Sequence, residues 1–365
     1  MSQRTESTAA SEADPDPGDK RRGLARRTWT LIFSLVLVVV LGVVGAYVRV
    51  PYVAIGPGPT FDTLGKVAGT TVVALDGTKT YQPKGQLRMV TVSLADNLTL
   101  FGAVGMWLSG SEALAPRDEY FPPGKSDKQV QRTNVQEMRN SQSNAEVAAL
   151  RYLHYPIVVR ADKVVSGGPS DGKIRAGDRL LRVDGKKITV AADAYNALTK
   201  TKPGQVVSVE VRTPGQQLRT VRVTLGKRPD GRQQGFLGVS PVPHADVPFH
   251  IKISLADVGG PSAGMMFTLA VIDKLTPDNL AGGTTVAGTG TISPDGQVGP
   301  IGGIPFKMIA ARDAGATTFL VPAKNCSEAK SKVPAGLRLV KVHTLTDAVH
   351  ELTDLKEGKQ VPGCS

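Results

Sequence analysis

Ser262 and Lys307 are the residues of this chain best suited to covalent chemistry. Ser262 stands in Gly259-Gly260-Pro261-Ser262-Ala263-Gly264, a glycine-rich turn that opens an apolar helical segment. Lys307 closes Pro300-Ile301-Gly302-Gly303-Ile304-Pro305-Phe306-Lys307. A serine hydroxyl needs a base to act as a nucleophile, and an ordinary lysine is protonated at neutral pH. Pro305 suits the first position of a helix, which places Lys307 in the first turn, where the helix dipole disfavours a cation. Ile304, Phe306, Met308 and Ile309 surround it with apolar groups. Desolvation and the dipole both lower an amine's pKa, as a general base requires. The backbone N–H groups of Ser262 and Ala263, at a helix N-terminus, are the expected donors to an oxyanion. The plainer readings are a helix-capping serine and a solvated lysine. Gly264 tells against the first, because glycine is costly inside a helix.

Other chemistries fit less well. Gly260 to Gly264 matches G-x-S-x-G, but that elbow needs a strand running straight into the serine. Here Ala256-Asp257-Val258-Gly259 intervene, and Asp347 and His350 share one helical turn. His154, His244, His250, His343 and His350 show no H-E-x-x-H spacing, so neither a metal nor a cofactor is expected.

The elements that must position the pair follow from the pattern. A chain of 365 residues with 41% hydrophobic content supports two domains, and 40 Gly with 25 Pro argue against a helical bundle. The expected class is α+β. Strands are expected over 70–75, 87–94, 157–161, 250–255, 284–292 and 317–321. Helices are expected over 134–153, 263–275, 305–314 and 343–352. Pro51 to Pro59 reads as a stiff irregular segment, and 109–134 as a long polar loop suited to a gate. Between 154 and 230 the order is strand, turn, strand, helix, strand, strand, with Asp184-Gly185 as a tight turn and a hairpin across Pro214-Gly215.

The N-terminus has its own logic. Residues 1–28 are polar and read as a disordered tail ending in the basic cluster Lys20, Arg21, Arg22, Arg26 and Arg27. Residues 29–48 carry no charge and are long enough to cross a bilayer. The cluster predicts a single-pass anchor with the N-terminus cytoplasmic and residues 49–365 outside. Cleavage is disfavoured, since Gly45-Ala46-Tyr47-Val48 is a poor signal-peptidase site. Both cysteines, Cys326 and Cys364, then lie in a compartment that permits a disulfide.

Two long motifs carry a family likeness. Val258 to Met266 resembles the nucleophile motif of the Lon protease domain, and Ala287 to Ile292, Gly296 to Val298 and Pro300 to Ala311 resemble its lysine motif. Thr317 to Asn325 continues the match, and Leu87 to Leu94 with 134–153 resemble its early strand and first helix. The chain is similar to Lon-like serine peptidases that carry a PDZ domain and a membrane anchor. That likeness implies Ser262 as nucleophile and Lys307 as base. It implies the order 1–28 tail, 29–48 transmembrane helix, 49–153 first part of the protease domain, 154–230 inserted PDZ domain, 231–355 catalytic domain and 356–365 C-terminal tail. A threonine that steadies the lysine in ATP-dependent relatives is replaced by Ala287, leaving Thr289 and Thr291 open for its role. No G-x-x-x-x-G-K-[ST] is found, so no ATPase module is expected within these residues. The PDZ likeness puts a peptide-binding loop at Tyr155-Pro156-Ile157-Val158, although this stretch lacks the usual glycine.

The expected activity is an ATP-independent serine endopeptidase of exported or membrane proteins; the alternative is a catalytically silent PDZ scaffold. Expected partners are a peptide or protein substrate, the membrane and, admissibly, further copies of the chain. Residues 154–230 hold 15 Lys and Arg against seven Asp and Glu, which suits acidic peptide segments. Nucleic acid is not expected outside the membrane.

Overall fold

The computed structural model describes residues 19–110, 112–255 and 258–364. In chain order the chain forms α1 (Asp19–Tyr47), β1 (Tyr52–Asp62), β2 (Val73–Asp76), β3 (Gln86–Ala95), α2 (Leu100–Ser109), β4 (Ala113–Pro116) and α3 (Asp127–Tyr152). Next come β5 (Ile157–Val164), β6 (Arg179–Val183), α4 (Ala191–Ala197), β7 (Val206–Arg212), β8 (Leu218–Thr224), β9 (Val239–Ala245) and β10 (His250–Ile253). The last part holds α5 (Gly264–Leu275), β11 (Thr285–Gly288), β12 (Thr291–Ile292), β13 (Val298–Gly299), α6 (Ile304–Asp313), β14 (Thr318–Pro322), β15 (Arg338–Val342) and α7 (Leu345–Lys356).

The chain divides into two compact units. The smaller comprises the N-terminal residues through Ala54 together with Ala95–Tyr120. Its main element is α1, in which Arg26–Tyr47 is long and apolar enough to cross a membrane. The helix starts at Asp19, so the basic residues from Lys20 onward belong to it rather than to a tail; residues 1–18 lie outside those described.

The larger unit comprises Ile55–Leu94 and Phe121–Ser365. Its first sheet runs β15-β14-β11-β3-β1, with parallel pairing from β15 through β3. Side chains alternate across it as a pleat demands. Leu87, Met89, Val286, Leu320 and Val340 join a core with α3, α5 and α7. Val90, Ala287, Phe319 and Val321 join a second core on the opposite face with Ile304, Met308 and Ala311 of α6. With both faces covered, every residue of β14 is buried.

The second sheet is antiparallel, in the order β8-β7-β6-β5-β9, with a core of its own that includes Ala194 and Ala197 of α4. Asp184 and Gly185 both adopt positive φ after β6, as the expected two-residue turn requires. Strands β1 and β3 of the first sheet precede this second sheet in sequence, and β11, β14 and β15 follow it. The second sheet is therefore inserted into the first fold. A seam of Leu150, Tyr155, Ile157, Ala245, Phe249 and Ile251 joins the two.

Two expectations fail. Pro51 to Pro59 is not irregular: β1 runs through it. Pro57 and Pro59 are two residues apart, so their missing N–H groups fall on one side of the strand, while their carbonyls accept from Ser93 Oγ (3.1 Å) and Thr91 Oγ1 (2.7 Å). Nor is 109–134 a long loop. It contains β4, a helical turn at Arg117–Tyr120 and the first turns of α3, whose cap is a reciprocal Ser126–Gln129 box. Strand 284–292 breaks at Thr289-Gly290 into β11 and β12. The inserted sheet has more strands than expected: Lys186–Lys187 pairs with β6, and β9, beyond residue 230, joins the sheet after the hairpin.

Candidate active site

The nucleophile turn is held from two sides. Gly260 lies at φ 88°, a conformation that favours glycine, and its N–H donates to the Asn134 carbonyl of α3 (3.0 Å). Seven residues along α3, Ser141 Oγ donates to the Pro261 carbonyl (3.0 Å). On the other side, the Gly290 N–H donates to the Ser262 carbonyl (2.8 Å), and Met265 N–H donates back to the Gly290 carbonyl (3.1 Å). Gly264 is the first residue of α5, where a Cβ would stand 2.8 Å from both Ser141 Oγ and Ile292. Ala263 is the N-cap, so Ser262 precedes the helix rather than capping it. Ser262 is half-buried and Ala263 buried. Ala256 and Asp257, which separate β10 from this turn in sequence, lie outside the described residues.

Lys307 is only 3% exposed. It is the fourth residue of α6, one position later than the first-turn reading implies, because Ile304 already belongs to the helix. Its neighbours Ile304 and Met308 are fully buried. Burial pushes the amine down to about 8, against the smaller upward pull of Glu328. The loop entering α6 is fixed by Asn325, whose side chain accepts from Ile301 N–H (2.9 Å) and donates to the Ile301 carbonyl (2.8 Å). Gly303 then turns at φ 69° with no room for a Cβ beside Val92. A disulfide joins Cys326, next to Asn325, to Cys364 near the C-terminus.

Thr289 connects the two halves. It is fully buried; its hydroxyl donates to the Ser262 carbonyl (3.0 Å) and accepts from Lys307 Nζ (3.2 Å). Ala287 packs in the core on the α6 face, and Thr291 lies on β12. Thr289 thus makes the contact that was open between Thr289 and Thr291. Among the described residues no hydrogen bond joins the Lys307 amine directly to the Ser262 hydroxyl. The arrangement offers a half-buried serine, a buried amine with a depressed pKa and a helix N-terminus, which are the parts of an acyl-transfer site.

Asp347 takes no part in such a site. Its carboxylate accepts from the N–H groups of His343 (2.9 Å) and Thr344 (3.0 Å) as the cap of α7.

The loop Tyr155-Pro156-Ile157-Val158 is not a free binding loop, which corrects the sequence reading. The Tyr155 ring packs edge-on against Phe249, with centroids 5.6 Å apart. The Pro156 carbonyl accepts from Asp246 N–H (2.8 Å), and Ile157 and Val158 pair with Ala245 and His244 of β9. These residues build the seam. The terminal strand of this sheet on that side is β9, with α4 beside it. It is entered through Phe236-Leu237-Gly238, where Gly238 lies at φ 76° and the Leu237 carbonyl accepts from Ser170 Oγ (2.6 Å). The sequence signal for this edge is the apolar-Gly-apolar run Leu237-Gly238-Val239 before a strand.

Residues 234–355 match the Lon protease (S16) C-terminal proteolytic domain, and residues 132–225 match the PDZ domain. The chain is similar to the Lon protease of Phenylobacterium zucineum (strain HLK1), 33% identical over 127 residues, covering 33% of this chain and 16% of that protein. It is 39% identical over 107 residues to the Lon protease of Frankia alni (strain DSM 45986 / CECT 9034 / ACN14a), covering 29% and 12%. The chain thus spans less than a fifth of the length of these relatives. The solved PDZ domain of an SdrC-like protein from Listeria monocytogenes matches at 19% identity, covering 23% of this chain and 87% of that one, with a TM-score of 0.21.

Proposed function

We propose that this chain, which carries a Lon protease proteolytic domain and a PDZ domain, is a membrane-anchored serine endopeptidase working through Ser262 and Lys307. The observation that carries the reading is the buried Lys307 amine bonded through the Thr289 hydroxyl to the Ser262 carbonyl. That link holds the amine beside the serine turn, and the bond from the Ser262 hydroxyl to the amine is one that tightens when substrate enters. The neutral amine accepts the Ser262 proton as Oγ attacks a peptide carbonyl carbon. The tetrahedral oxygen takes its negative charge beside the N–H groups of Ser262 and Ala263. The C–N bond breaks, the lysine returns its proton to the leaving amine, and an acyl-enzyme ester remains. Water attacks the ester while Lys307 accepts its proton, and Ser262 is regenerated as the acid leaves.

The same reading places the substrate outside the membrane that α1 spans, with the basic N-terminal residues inside. No P-loop occurs in these 365 residues, so substrates are segments already extended or exposed. The β9 edge with α4 is the part of the PDZ domain suited to hold an extended peptide by strand addition.

The test is terminal-peptide mass spectrometry on membrane and exported proteins from cells carrying wild type, Ser262→Ala or Lys307→Ala at matched levels. New termini present in wild type and missing from both variants support proteolysis and name the substrate. Identical termini in all three, with abundant folded wild type, refute it in favour of a silent scaffold.

A further inference from the structure

Helix α2 has a composition that neither catalysis nor peptide binding uses. Its ten residues, Leu-Phe-Gly-Ala-Val-Gly-Met-Trp-Leu-Ser, carry no charge. It is well delimited, with Thr99 capping the Gly102 N–H (3.1 Å) and Gly110 ending it at φ 70°. One face packs within the smaller unit, where Ala103 is buried and Met106 lies against the cluster of Ala54 and Leu98. The other face is largely bare, with only the Phe101 ring resting in part on α1. Leu100, Phe101, Val104, Trp107 and Leu108 follow helical spacing and are all exposed, Phe101 by 55%, Trp107 by 65% and Leu108 by 70%. An apolar face of this kind marks an interaction surface rather than a solvated one.

What covers it follows from its attachment. Leu100 N–H donates to the Val48 carbonyl (3.1 Å), Val50 N–H donates to the Leu98 carbonyl (2.9 Å), and Arg49 bridges Thr99. Gly45 of α1 leaves room for the Phe101 ring, which a Cβ there would strike. Helix α2 therefore begins at the level where α1 ends. The apolar surface of α1 is itself exposed there, at Val43, Val44 and Tyr47, so both helices present bare apolar side chains near their junction. Polar groups flank the junction: Arg117 Nε and its terminal nitrogen bind Asp96 at 2.8 and 2.9 Å, and Arg49 reaches Asn97 (3.4 Å). Ten helical residues extend about 15 Å, half of a hydrocarbon core of about 30 Å. The helix is too short to cross and too apolar for water, and its tryptophan suits a membrane boundary.

We infer that α2 is a second membrane-embedded element, its Leu100-Phe101-Val104-Trp107-Leu108 face buried in the outer leaflet of the bilayer that α1 spans. The inference rests on the anchor reading of α1. It adds that the segment between β3 and β4 grips the lipid surface, so the smaller unit holds the membrane at two places.

The chain's two tryptophans, Trp29 in α1 and Trp107 in α2, provide the test. The full chain is reconstituted in phosphatidylethanolamine and phosphatidylglycerol vesicles as Trp29→Phe, leaving Trp107, and as Trp107→Phe, leaving Trp29. Part of the lipid is replaced by a phospholipid brominated on its acyl chains, and acrylamide is added separately as the aqueous quencher. The expected result is a loss of Trp107 emission to bromolipid comparable to that of Trp29, with little loss to acrylamide. Loss from Trp29 alone to bromolipid, with Trp107 quenched by acrylamide, overturns the inference and leaves the anchor standing. A Trp107 spared by both quenchers also overturns it, since protein then covers the face. If neither tryptophan responds to bromolipid, the anchor reading fails and the inference falls with it.

Discussion

Replacing Lys307 with Met removes a buried amine and leaves a side chain of similar volume in an apolar site. The amine's fall from 10.5 to about 8 corresponds to about 3 kcal/mol. The native state releases its proton near pH 8 and the unfolded state near 10.5. Below pH 8 the fold therefore holds a charged amine it disfavours, and the full cost applies. The cost fades as pH rises from 8 to 10.5 and is absent above. Lys307→Met also loses the bond to Thr289, worth about 1 kcal/mol. At pH 7 the variant should be more stable than wild type by about 2 kcal/mol, and the difference should vanish or reverse above pH 10.5. Denaturant unfolding of the disulfide-intact protein in detergent at the two pH values measures this. The same ionisation sets reactivity. With the pKa near 8, about one amine in ten is neutral at pH 7, against about one in three thousand at the ordinary value. Ser262 labelling by a fluorophosphonate, followed by intact mass, should rise tenfold per pH unit up to about 8 and then level off. Lys307→Met should label negligibly throughout. A variant less stable than wild type at pH 7, or wild-type labelling that is flat from pH 6 to 9, would refute the reasoning.

Thr289→Val removes both hydroxyl bonds of the linking residue and should slow labelling about tenfold or more, while Thr291→Val leaves the rate unchanged; equal rates for the two variants would sink the assignment. Asp273, fully buried in α5, accepts from Leu280 N–H (2.7 Å) through one oxygen, and burial raises its pKa to about 6. Its contribution to stability is full below the unfolded value of 3.8 and is lost as pH rises through about 6. Asp273→Asn keeps an acceptor for Leu280 and should stabilise the protein at pH 7 by up to about 3 kcal/mol, with no gain at pH 3.5, as thermal unfolding at the two pH values will show. Reducing Cys326–Cys364 opens a connection of 38 residues and should cost about 4 kcal/mol, read as a fall in denaturant midpoint with dithiothreitol.

The site was readable where residue type alone decides the chemistry. A serine among glycines and a lysine among apolar residues stand out without a structure. The linking hydroxyl was not readable. Ala287, Thr289 and Thr291 alternate along one stretch, and an unbroken strand would send all three to one face. The strand ends at Gly288, and from beyond its end Thr289 reaches both Ser262 and Lys307. Ser141 and Asn134 gave no signal, because a polar residue on a helix is ordinarily solvated and its long-range partner lies 120 or more residues away. Strand β1 was hidden by its prolines, and the first turns of α3 by a polar composition that only the Ser126 cap explains. The free edge of the inserted sheet is hard to read for a different reason. Apolar strands occur at both ends of the inserted domain, and only the order of the sheet shows that β9 is its edge.

Helix α3 gives the molecule a common beam. Asn134 in its first half and Ser141 at its middle grip the nucleophile turn, and its C-terminal end passes through four residues into β5 of the inserted sheet. From Asn134 to Tyr152 the beam measures about 27 Å, so tilting it by about 3° at the far end carries Asn134 through more than 1 Å. Displacements of that size separate productive from unproductive alignment of reacting groups. One extra residue between Ser141 and Tyr152 would turn the inserted sheet by about 100° about the helix axis relative to Ser262. The length of α3 is therefore as much a part of the catalytic geometry as the residues that face the substrate.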